Sequence, residues 1–163
     1  MMPEHAIKIS FKTILLSGLL VGTLDILSAF ADVYISTGKN PLVVLNYIAS
    51  GAVGKTAFAG GAGIQLLGLL FHFIIAFSFT VLFYWLYSKN KLPSKNWIIT
   101  GIIYGIFIGV IMNLIVVRLS YIPSAPLSAM KPLKVLKAVL ILICMIGLPL
   151  SFIANTVSNK EKK

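Results

Sequence analysis

Acidic residues are nearly missing from this chain. Of 163 residues only four are Asp or Glu: Glu4, Asp25, Asp32 and Glu161. Charged residues of both signs make up only 11%, and 58% of the chain is hydrophobic. A soluble domain carries about 25% charge and about 45–50% apolar residues, so a soluble globular fold is excluded. Cysteine occurs once, as Cys144 inside the last apolar run. A single thiol excludes an internal disulfide and any CxxC metal or redox motif, and it is expected to be a small packing residue. Histidine occurs twice, as His5 and His72. With no second strong ligand beside His72, neither a zinc nor a haem site is expected, and no cofactor is implied.

What remains is apolar sequence in long runs. Four of them are long enough to cross a hydrocarbon core of about 30 Å: about Ile14 to Tyr34, Ile64 to Tyr87, Ile98 to Val117 and Val135 to Ala154. The expected fold is all-α, a polytopic membrane helix bundle of four transmembrane helices in a single integral membrane domain. The start of the first run also has the pattern of a signal peptide, with Lys8 and Lys12 ahead of apolar residues and Ala29-Phe30-Ala31 as a small-x-small site. Asp25 interrupts its apolar core, which favours a retained helix. Between the first two runs, Asn40-Pro41 is a helix start, and Leu42 to Ser50 is apolar but too short to span. It is expected to be an interfacial or re-entrant helix.

The net charge of +10 does not point to nucleic acid. The cations sit in short clusters at the ends of apolar runs, where they meet anionic headgroups of the lipid bilayer. Lys8, Lys12, Lys89, Lys91, Lys95, Lys160, Lys162 and Lys163 fall on one side of a four-span topology. Lys39, Lys55, Arg118, Lys131, Lys134 and Lys137 fall on the other. Eight against six places both termini in the cytoplasm by the positive-inside rule. Ala49 to Thr56, with Gly54-Lys55-Thr56 at its end, imitates a phosphate-binding loop. That use needs a preceding strand and a metal-binding acid elsewhere, and neither is evident, so no nucleotide is expected.

The candidate site is the set of polar residues inside the spans. A carboxyl at mid-bilayer costs about 3 kcal/mol or more and usually faces a protein interior. Asp25 and Asp32 are seven residues apart, close to two helical turns, and share a face, an arrangement suited to taking up and releasing a proton. At about 10 Å apart along the axis they are too distant for an aspartyl-protease dyad. No Ser-His-Asp spacing is diagnostic either, so catalysis is not expected. His72 is a candidate partner of Asp25 in a proton relay or ligand site. Asn113 is expected at depth, as glue between helices. Arg118 either snorkels to the headgroups or serves as counter-charge to Asp32. Gly18 with Gly22, and Gly101 with Gly105 and Gly109, form GxxxG motifs for close helix packing, within the bundle or in a homo-oligomer.

Several short motifs carry a resemblance: Ile48-Ala49-Ser50-Gly51, Ala57-Phe58, Gly60-Gly61, His72-Phe73, Ile75-Ala76-Phe77, Tyr104-Gly105, Met112-Asn113 and Gly147-Leu148-Pro149. Together the chain resembles an uncharacterised family of small bacterial four-span inner-membrane proteins. The family has a histidine in the last span ahead of Gly-Leu-Pro, where this chain has Leu140 to Ile143, so the resemblance implies no two-histidine cofactor site. It implies no activity. The expected function is binding or transport of a small ligand or proton through the internal polar site. The alternative is a structural or regulatory component that oligomerises through its glycine-rich faces.

Overall fold

The computed structural model describes residues 9–89, 96–122 and 132–161. Lys8, Lys91, Lys95, Pro123, Pro126, Lys131, Lys162 and Lys163 lie outside them. Most of the described residues are helical, with no strand among them. Four helices are long and apolar enough to cross a membrane: Phe11–Thr37, Ala62–Ser88, Trp97–Leu119 and Pro132–Asn159. They are called here the first to fourth spans. Each extends a few residues beyond its apolar run, because local chemistry rather than hydropathy ends a helix.

The first span starts at Ser10, whose Oγ accepts from the Thr13 N–H at 3.1 Å. It ends at Gly38, whose φ of 65° is left-handed and lets its N–H reach the Tyr34 carbonyl. The third span starts at Asn96, whose side chain accepts from the Ile98 N–H at 2.9 Å. The fourth keeps helical backbone to Glu161, past the apolar run that ends at Ala154. Buried Ser158 lies in that extension and interacts with Tyr87 at the end of the second span.

Two π turns widen the spans, and hydropathy gives no hint of either. One is Met112–Val116 in the third span, where the Val117 N–H bonds the carbonyl of Met112. The other is Ile143–Gly147 in the fourth, where the Leu148 N–H bonds the carbonyl of Ile143. The second ends just before Pro149. Proline has no N–H and clashes with the carbonyl four residues back, and a widened turn is one way a helix absorbs that fault.

The spans form two antiparallel pairs, first with second and third with fourth, and the first span also packs on the fourth. Val21, Phe79, Phe83, Tyr84, Tyr104, Ile108, Ile146, Leu150 and Ala154 make a core drawn from all four. Its polar handles are satisfied inside it: Tyr84 Oη meets Ser17 Oγ at 2.7 Å, and Tyr104 Oη donates to the Phe79 carbonyl.

The glycine motifs are used within the chain. At Gly18 a Cβ would fall 2.4 Å from the Phe77 ring, and at Gly22 2.8 Å from the Phe73 ring. Gly101 lies against Gly147 and Leu148, Gly105 against Ile143, and Gly109 against Val139. The second π turn therefore bulges into the groove that the third-span glycines open. An oligomer formed through these glycine faces would have to displace that packing.

The short helix occupies Val43–Val53 and runs into a 3-10 segment, Gly54–Ala59. The helix starts two residues later than Asn40-Pro41 led one to expect: Leu42 is its N-cap and no side chain caps it, while Asn40 accepts from the Leu42 N–H at 3.0 Å in the turn just ahead. The phosphate-loop-like segment is thus a helix end and a 3-10 turn, not a loop between strand and helix. The helix lies across one end of the bundle. Leu45 meets Gly68 of the second span, and Tyr47 shares a groove with Asp32 of the first. The Gly51 carbonyl accepts from the Tyr121 N–H at 3.1 Å, just past the third span.

Candidate functional site: a carboxyl and an imidazole at mid-span

Asp25 lies near the middle of the 27-residue first span and His72 near the middle of the 27-residue second. The antiparallel packing of the two helices brings them to the same depth. Gly22 makes the approach possible. With no side chain there, the second span comes close enough for His72 Nε2 to reach the Gly22 carbonyl at 2.7 Å. Gly22 and Asp25 are three residues apart and neighbours on one helix face. A ring docked on Gly22 therefore stands beside Asp25, within electrostatic reach of its carboxyl.

The hydrogen bond also fixes the chemistry of the ring. A carbonyl only accepts, so Nε2 carries the hydrogen, and Nδ1 is where a neutral His72 accepts a proton. Buried His72 is held edge-on by Phe73, with ring centroids 5.3 Å apart. Asp25 is partly buried, and Ser28 Oγ donates to its backbone carbonyl at 2.7 Å. The result is one ionisable acid and one ionisable base from two helices, in the low-dielectric middle of the bundle. Among the described residues no group of three or more His, Cys, Asp or Glu is placed to hold a metal.

The other expected members are elsewhere. Asp32 is at the far end of the first span, where its carboxylate pairs with Lys137 of the fourth span. Lys137 Nζ also donates to Ser36 Oγ at 3.2 Å. The cation at Asp32 is thus Lys137 and not Arg118. Both cations lie on that side of the membrane, but the first span packs on the fourth, so proximity selects Lys137. Arg118 is exposed at the end of the third span. Among the described residues the Asn113 amide bonds its own span, not a neighbouring one. It sits in the first π turn and donates to the Gly109 carbonyl at 2.8 Å, within its own span. Cys144 is exposed on the outside of the second π turn and is not a core packing residue.

Sequence reasoning missed one polar cluster. Buried Asn46 donates to the Ala57 carbonyl at 2.7 Å, and its Oδ1 accepts from Gln65 Nε2 at 3.4 Å. This fastens the short helix to the start of the second span. An asparagine in an apolar stretch too short to span was the available signal. No protein-family model, curated protein or solved structure matches the chain.

Proposed function

We propose that this chain is a small integral membrane protein that binds and relays a proton at the Asp25–His72 pair. The observation that carries the reading is the docking of His72 on Gly22, which sets the one histidine of the spans beside the one mid-span acid. A carboxyl at that depth is costly to keep, and an adjacent imidazole whose Nδ1 can accept a proton gives it a proton partner. Asp32 and Lys137 belong to the rim and not to this pair.

The test is proton flux into liposomes, followed with an enclosed pH-sensitive dye under an imposed potential. Asp25→Asn and His72→Phe are each expected to lower the flux about tenfold or more, as loss of a proton-transfer partner does. The double variant should be no worse than either single one, since residues acting as a unit are not additive. Cys144→Ala, on the outer surface, should conduct like the parent. Equal flux in all four would sink the reading.

The reading places the chain in a bacterial inner membrane, with the small four-span family it resembles and with both termini in the cytoplasm. The support is the distribution of Lys and Arg over the loops. A reporter that fluoresces only in the cytoplasm, fused after Lys163, should be bright. A dark fusion with an active periplasmic reporter at the same place would reverse the orientation.

A further inference from the structure

A groove of about 370 Å³ opens between the end of the first span and the short helix, lined by Asp32, Val33, Val43, Val44, Tyr47 and Phe58 among others. Small-ligand sites are about 300–1,000 Å³, mainly apolar, with a few placed polar groups. Here the polar group is a carboxylate. It lies five residues before the end of the span at Thr37, about 8 Å along the axis, so it sits near headgroup depth, as does a tyrosine in an interfacial belt. The cations stand next to it. Lys137 pairs with Asp32, and Lys134, one turn earlier on the fourth span, also acts on it. The pair is open to exchange: the side chains of Lys137 and Asp32 are 51% and 36% exposed.

We infer that this groove binds a zwitterionic phospholipid with a primary amine, of the phosphatidylethanolamine type. The acyl chain lies along Val33, Val43, Val44 and Phe58. The phosphate meets Lys137 and Lys134, and the ammonium donates to Asp32. Charge complementarity selects this occupant. A purely anionic headgroup would use the lysines but set its negative charge against the carboxylate that lines the groove. A choline headgroup brings a cation with no N–H to donate. The ordinary lipid coat has no such preference, and the site is independent of the proton pair two turns deeper.

The experiment is native mass spectrometry of the full chain in detergent, titrated in turn with phosphatidylethanolamine, phosphatidylcholine and phosphatidylglycerol carrying the same acyl chains. One ethanolamine lipid should be retained about tenfold better than its choline counterpart, roughly what one hydrogen bond to a charged group is worth. Asp32→Asn, a near-isosteric change at a half-exposed position, should erase that preference. Lys137→Gln should lower retention of all three lipids. Val44→Trp fills the groove without touching a charge and should lower ethanolamine-lipid retention to the level of the choline lipid. Equal retention of the three lipids by the parent chain would overturn the assignment. So would an ethanolamine preference that survives in Asp32→Asn or in Val44→Trp.

Discussion

Gly147→Ala should destabilise the bundle by about 3 kcal/mol, the upper end of what overpacking costs. The reason is the identity of the atom in the way. A Cβ at Gly147 would lie 2.1 Å from the Gly101 carbonyl oxygen and 3.0 Å from its carbon. That is backbone of the neighbouring span, and no rotamer change relieves it. The third and fourth spans must separate, and Ile108, Ile146 and Leu150 of the core lose their contacts with them. Gly18→Ala is the instructive contrast, because its Cβ would meet the Phe77 ring, a side chain that can shift where backbone cannot, and should cost less. Gly63→Ala meets nothing within 4 Å and sits inside the second span. It should be neutral or stabilising by up to about 1 kcal/mol, through a less flexible unfolded chain. Unfolding in mixed micelles, followed by tryptophan fluorescence, orders the three variants. Equal stability of Gly147→Ala and Gly63→Ala would contradict the packing described.

Gly68→Ala should detach the short helix while the spans stay paired. Its Cβ would fall 2.1 Å from the Leu45 carbonyl oxygen and 2.8 Å from the Leu45 carbonyl carbon, again backbone. Leu45 adjoins Asn46, so displacement there also breaks the bonds of Asn46 to Ala57 and Gln65 and leaves buried polar groups unpaired. A cost of about 2–3 kcal/mol is expected, but it falls on a local unit. Hydrogen exchange should accelerate over residues 43–60 and stay slow in the third and fourth spans. Uniform acceleration would mean that the short helix is integral to the bundle rather than laid across its end.

The sequence made the spans visible because length and hydropathy decide whether a helix can cross a bilayer. Their ends were less visible. They depend on one residue at a time, such as Gly38 in a left-handed conformation. Lipid and protein interior are equally apolar, so nothing in the sequence distinguished Cys144 facing outward from a buried cysteine. The partner of Asp32 was open for a related reason. Loop order fixes which side of the membrane a cation occupies, but not which span is the neighbour, and so Arg118 stood as candidate where Lys137 makes the bond. Asn113 was legible as a polar residue at depth. Its use was not, because the π turn that spends its amide on Gly109 leaves no mark in the pattern of apolar residues. Asp25 and His72 stood out because each is the rare residue of its kind inside a span, and Gly22 supplied the reason they meet.

In the proposed function, Asp25 and His72 hold a proton as one unit. Infrared difference spectroscopy of the carboxyl region, recorded across a pH titration in lipid, tests it most directly. A titrating carboxyl band is expected that vanishes in Asp25→Asn and whose midpoint moves in His72→Phe, because coupled groups titrate as a pair. A band that titrates identically with and without the imidazole would contradict it, and the docking of His72 on Gly22 would then be packing alone.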